Sequence, residues 1–399
     1  SGRANGSSGS SGTADAQAGV ELSGSGVDVG SVSTTANANQ SGSTSRGSSR
    51  ASIQITSTAG ATKTGSLSTN ALYTGGSGSG ESPTRPVLRS DITIQSVNNV
   101  DVGGSIFASH TNNGPASDSD HSSAIKVTVT SGGINVGSNQ LSARGLIDLS
   151  SAGGTGIQTG TLQAENADIR VVSGAGGITI NGQLSGGSST KDELRDVKLD
   201  AAGTLSFGNT SLTAGSVLLR SGAALNLGSD FDITTTAGGV EIDAKGAVSA
   251  GDISTTDVGS NADVQVSADG AVQLGTITAT ATGSGAVDDA SARALITAGR
   301  SGTGALSVGA ITTRATAAAV GAADATVDLI ASNAPLTVTG TIDAQAVANG
   351  SRNPTANVKL STSSGDIQFR GIRADANNST GGTAGPDLSK VSKKNNREY

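Results

Sequence analysis

Apolar and polar residues alternate along this chain in short runs, and the runs come in threes. In residues 263–283 (DVQVSADGAVQLGTITATATG), Val264 and Val266 alternate with polar neighbours. Asp269 and Gly270 mark a turn, Val272 and Leu274 follow, and after Gly275 come Ile277, Ala279 and Ala281. Alternation sends successive side chains to opposite faces of a strand. The segment therefore predicts three short strands, with small aliphatic residues on one face and Thr, Gln, Ser and Asp on the other.

The same grammar begins again at Val20, Ser52, Asp91, Ile125, Ile147, Asp168, Asp196, Thr326 and Asn357, with Thr62 and Thr64 making one copy weaker. About a dozen such units of roughly 20 residues, separated by variable spacers, lie in the period range of solenoids. A chain without structure has no reason to keep such a register. One coil cannot bury its inward face alone, but stacked coils bury each other's and share backbone hydrogen bonds. The expected fold is all-β: a right-handed parallel β-helix of about a dozen coils, its hand following from the crossover rule. A glycine recurs between the second and third strands, at Gly30, Gly103, Gly137, Gly160, Gly182, Gly208, Gly228, Gly275, Gly309, Gly340 and Gly371. There the chain must turn a corner, and glycine reaches backbone angles that other residues avoid. The long spacers, residues 37–50, 73–89, 110–123, 185–195, 283–292, 316–325 and 347–356, nearly all follow a third strand. They predict insertion loops gathered mostly on one edge, either as recognition loops on a rigid scaffold or as tolerated surface insertions.

Composition supports this picture. Among 399 residues there are 59 Gly, 4 Phe, 2 Tyr and no Trp, Met or Cys. Aromatic side chains normally fill core volume in bulk, so this core must be built from small aliphatic residues, which suits a narrow lumen. Without cysteine there is no disulfide, thiolate ligand or thiol nucleophile. A net charge of −7 counts against nucleic acid or an anionic membrane as the main partner. No apolar run approaches the roughly 18–20 residues of a membrane span, so membrane insertion is not expected. Residues 1–12 have neither the basic start nor the apolar stretch of a signal peptide, and read as a piece of something longer. The domain reading is an irregular segment over 1–19, a parallel β-helix over 20–376, and a polar basic tail or linker over 377–399.

Candidate chemistry is sparse. His110 and His121 fall in one spacer with Asp118 and Asp120, at a spacing that matches no zinc or calcium ligand pattern. A solvated loop is expected there, with no metal and no cofactor. A polysaccharide lyase or glycosidase on this fold would need carboxylates gathered on one outward face. Asp243, Asp252, Asp257 and Asp263 instead look scattered among strand and turn positions, and no catalytic residue is assigned. Thr-x-Thr pieces at Val127 and Ile277 fall on different strands, so no single regular threonine face is expected; outward Thr is ordinary on a strand. Glycosylation sequons stand at Asn5, Asn39, Asn209, Asn349 and Asn378, a number that chance supplies in so Asn- and Ser-rich a chain. The KDEL string at 191–194 is internal and carries no retention signal.

The cadence of VQVSADGAVQLGTITA, residues 264–279, resembles that of filamentous-haemagglutinin-like exoproteins of two-partner secretion, and the resemblance extends over residues 20–376. It implies export through an outer-membrane transporter, folding outside the cell, and adhesion or biofilm building. That family's N-terminal secretion domain is not evident, so the chain would be a repeat-region segment. The function expected is the structural shaft of a secreted or cell-surface adhesin or biofilm matrix protein, whose partners are polysaccharide or a host or neighbouring-cell surface component. A polysaccharide-degrading enzyme on the same fold is the alternative. A self-assembling extracellular filament subunit is a third reading, because open β-helix ends expose unpaired strand edges and so favour end-to-end self-association.

Overall fold

A computed structural model describes residues 2–8, 14–40, 47–74, 87–113, 120–165, 167–186, 196–208, 211–259, 261–283, 288–318, 320–350, 352–378 and 391–393. It divides into two compact units, Ser1–Ser189 and Thr190–Tyr399. Each is a parallel β-helix, and no helical segment occurs among the described residues.

In the unit Ser1–Ser189, the first strands of successive coils are Ala14–Gly24, Gly47–Ser57, Val87–Ser96, Asp120–Val129, Ile147–Ser151 and Ile169–Ser173. Each pairs in parallel with the next. Second strands, from Val27–Val29 to Ile178–Ile180, and third strands, from Val32–Gln40 to Leu184–Gly186, form their own parallel ladders. Register holds because a one-residue slip would turn every aliphatic side chain outward. Ile53, Ile92, Ile125, Ile147 and Ile169 make one unbroken inward column, all at most 1% exposed. Each such side chain contributes about 1.5–3 kcal/mol through burial. Where the strand ends, a small hydroxyl residue points inward and donates to a turn carbonyl. Ser57 Oγ reaches Gly60 O at 2.8 Å, and Ser151 Oγ reaches Gly132 O at 2.6 Å. These bonds satisfy backbone acceptors that the coil corner would otherwise bury unpaired. At the first coil the inward Val20, Leu22, Val27 and Val29 are only half-buried.

The unit Thr190–Tyr399 repeats the plan, with first strands from Asp196–Ala201 to Thr355–Thr362. Its inward column runs Val217, Val240, Val264, Ala294, Val327. The inward Val264, Val266, Val272, Leu274, Ile277, Ala279 and Ala281 anticipated from the repeat are all buried. In the last two coils the second and third strands merge into Leu336–Ala348 and Ile367–Asn378, with a register shift between Val338 and Thr341. Among the described residues the lumen admits one large ring, Phe231, 1% exposed, which packs against Phe207 with centroids 4.8 Å apart.

Three expectations change. First, strand structure reaches beyond residues 20–376. Gly2–Ser8 pairs with Thr34–Gln40, the first coil begins at Ala14, and Val391–Lys393 pairs with Leu360–Thr362. Second, the described parts of the spacers are mostly strand. Third strands run on into them, and the next first strand begins early, as in Val32–Gln40 with Gly47–Ser57, and Ile311–Ala317 with Ala323–Ala331. The two extensions face each other as a thin two-layered fin. In the first unit its core includes Ala14, Ala16, Ala18, Ala36, Ala38, Ala51, Ala71, Tyr73 and Leu88; in the second, Ala281, Ala292, Ala317, Ala325, Ala346 and Ala348 are buried likewise. The parts of the spacers at 41–46, 75–86, 114–119, 187–195, 284–287, 319 and 351 lie outside the described residues. Third, of the corner glycines described, Gly137 and Gly228 have left-handed backbones, φ 63° and 84°. Others answer to close approach of the coils instead: a Cβ on Gly182 would lie 2.4 Å from Thr161 N.

Candidate functional site

With the apolar residues turned into the lumen and fins, chemistry is left to the outward columns, where residues from successive coils stand about 4.8 Å apart. On the second strands of the unit Ser1–Ser189 the outward column reads Asp28, Lys63, Asp101, Asn135, Gln158, Thr179. Its later part forms one side of an open cleft of 370 Å³, whose lining also includes Asn99, Gly133, Thr155, Gly156 and Gly177. On the first strands of the same unit, Lys126, Asp148 and Arg170 are stacked in register. Asp148 is buried between its neighbours, with Arg170 Nη1 3.8 Å from its Oδ2.

The second unit carries a larger cleft, 600 Å³, over its first strands. Asp196, Lys198, Leu218, Glu241, Asp257 and Asp263 are among its lining residues. Here the sequence reading needs correction, because the acids that look scattered divide into two kinds. Asp243 and Asp252 hold coils together. Arg300 donates from Nη1 to Asp243 Oδ1 and from Nε to Asp269 Oδ1, both at 2.8 Å, and these bonds raise the guanidinium pKa. Asp252 Oδ1 accepts the Thr276 N–H at 2.6 Å. Asp257 and Asp263, by contrast, share the cleft. Asp257 Oδ2 accepts the Asn261 N–H at 2.9 Å. Asp263 Oδ1 is buried with no hydrogen-bond partner. Burial pushes the Asp263 carboxyl above the usual carboxylate range, Asp324 and Asp257 push the same way, and Arg293 opposes them. A carboxyl whose pKa is raised by burial beside a second carboxylate is the composition of an acid–base pair. The two acids stand six residues apart, one at the end of the strand Ile253–Val258 and the other near the start of Asn261–Ala268, so chain proximity brings them to one cleft.

His110 is not in a solvated loop. It sits on the third strand Ile106–Asn112, faces into the fin at 7% exposure and is paired with Ala71. His121 and Asp120 lie on the strand Asp120–Val129, and Asp118 is outside the described residues. Among the described residues no group of three His, Asp or Glu side chains could hold a metal ion. The two Thr-x-Thr pieces do fall on different strands, in different units. Within the second unit, however, an outward column Thr213, Thr234, Ser254, Thr278, Thr312 aligns in register, against the expectation, before ending at Asp343. Arg314 interrupts the neighbouring column of Thr256 and Thr280. Asn5, Asn39 and Asn378 lie on strands of the third-strand ladder and Asn349 directly follows one; Asn209 is outside the described residues.

No family model matches the chain, nor does any curated protein or any solved structure.

Proposed function

We propose that the chain is the structural shaft of a secreted bacterial surface adhesin or biofilm matrix protein, exported through an outer-membrane transporter, with polysaccharide or a neighbouring cell surface as its partner. The observation that carries this reading is the register of the coils. Inward columns such as Ile53 to Ile169 are nearly uniform, so sequence variety is displaced to outward columns, where one contact can be repeated coil after coil. Repetition of weak contacts raises avidity without any strong single site, which suits attachment to a polymer. The cadence of residues 264–279 supports the same assignment.

The cleft holding Asp257 and Asp263 favours a second reading, a polysaccharide-degrading enzyme with Asp263 as proton donor. One experiment separates the two. The purified chain is applied to an array of glycans and matrix polymers, and new reducing ends are assayed in the same wells. Binding without products is the outcome expected of a shaft. Products that disappear in Asp263→Asn would overturn it in favour of the enzyme.

A further inference from the structure

The 370 Å³ cleft of the first unit has a regular construction. One side is the column Asp101, Asn135, Gln158, Thr179, carried on four successive second strands. Two residues upstream of each stands a second column, Asn99, Gly133, Gly156, Gly177, joined coil to coil by backbone bonds. Val100 N donates to Gly133 O at 2.9 Å, Ile134 N to Gly156 O at 3.0 Å and Ile157 N to Gly177 O at 2.9 Å. Coil packing dictates the glycines, since a Cβ on Gly133 would meet Thr155 Oγ1 at 2.3 Å and one on Gly156 would meet Gly177 O at 2.3 Å. The by-product is a trough whose floor is bare backbone beyond Asn99, which accepts the Gly133 N–H at 2.9 Å, with the polar column from Asp101 to Thr179 on one side and Thr155 beside it.

We propose that this trough binds an extended, uncharged hexose polymer lying along the stack, with Asn135 and Gln158 as its principal contacts; the inference rests on the shaft reading above. Three features select that ligand class. Both amides are exposed. Asn135 donates to Asp101 Oδ1 at 3.3 Å and accepts from Gly137 N at 3.1 Å, which leaves one Nδ2 hydrogen unused, while the Gln158 side chain makes no hydrogen bond among the described residues. An amide offers donor and acceptor together and so matches neighbouring sugar hydroxyls. The lining holds one carboxylate and no cation, and the next residue of the column, Lys63, stands in register with that carboxylate, so the trough offers no net positive charge to a sulfated or uronate polymer. Finally, the columns repeat about every 4.8 Å, close to the length of one sugar ring in an extended chain, so consecutive rings meet consecutive coils. With no aromatic platform, each ring is held weakly and affinity grows with polymer length.

The test is native electrophoresis of the full chain through gels cast with hydroxyethylcellulose, galactomannan or alginate. Retardation is expected in at least one uncharged polymer. Asn135→Ala and Gln158→Ala should each weaken it about tenfold in apparent Kd, the loss of one or two hydrogen bonds, while Gln273→Ala, on a second strand of the other unit, leaves it unchanged. Should Asn135→Ala alter the thermal melt, Gln158→Ala decides, because that amide supports nothing in the fold. Retardation in alginate alone, in none of the gels, or unaffected by both substitutions overturns the site. Retardation that both variants retain leaves the shaft reading standing, whereas a chain that binds no polymer on the array takes both down.

Discussion

Within the unit Ser1–Ser189 the coils are of two kinds. Ile147 pairs with Ile169, 22 residues on, and the third strands around it, Leu141–Ala143 and Leu162–Ala164, stop after three residues. Ile53 pairs with Ile92, 39 residues on, and its coil adds a fin. The bare coil buries Ile, Leu and Val in the lumen; the fin buries mostly Ala between two polar faces. Packing contributes in proportion to apolar area, so the lumen supplies stability, and the fin supplies outward area on a thinner support. The comparison shows that this fold can vary its surface at one edge without disturbing the columns that hold it together.

The largest expected effect bears directly on that contrast. Ile147→Ala should cost about 2–5 kcal/mol, the range for large-to-small changes in a close-packed core, measured as a shift in urea midpoint. Ala71→Leu, an overpacking change in the fin, should cost about 1–3 kcal/mol and should speed hydrogen exchange near the fin more than in the lumen. Equal protection loss at both places would dissolve the distinction. Next come the corner glycines: Gly182→Ala should cost about 1–3 kcal/mol for its collision with the preceding coil. Gly30→Ala, with nothing within 4 Å of a new Cβ, should stay within about 0.5 kcal/mol of neutral. Thr62 is fully buried in the lumen and its hydroxyl has no partner, so Thr62→Val should raise stability by about 1 kcal/mol.

The smallest effect is one of pH. The Asp263 carboxyl titrates above its ordinary value in the folded chain, chiefly through burial. Its contribution to stability is therefore fully present below the unfolded pKa and lost as pH rises through the folded pKa. Asp263→Asn should accordingly melt higher than the parent at pH 7, with the gap closing as the solution is acidified. A gap that widens toward acid would mean that the carboxylate, rather than the acid, is the favoured form in the cleft.

Much of the fold could be read in the sequence because the lumen obeys one rule, alternation of Val, Ile and Leu, broken only locally, as at Thr62, Thr64 and Ala294. The fins escaped because Ala36 and Ala38, or Ala315 and Ala317, alternate with Asn, Thr and Arg in segments whose overall polarity resembles a loop. Alanine alternation is the signal that would have found them. Gly340 and Gly371 fall inside merged strands rather than at corners, and Gly160, Gly182, Gly275 and Gly309 stand at corners for a different reason, contact with a neighbouring coil, which is invisible to a local reading. Surface columns were hidden for the same cause: Thr213 and Thr312 become column mates only once spacers of unequal length are resolved into register.

The stacked triplet Lys126, Asp148 and Arg170 bears on how such a chain can change length. Excising residues 147–168 would set Ile125 on Ile169, an apolar fit as good as the present one, so the lumen is indifferent to losing a coil. It would also set Lys126 directly beside Arg170, with the acid between them gone. The outward charges thus act as an address, giving each coil an identity that the interchangeable interior does not possess.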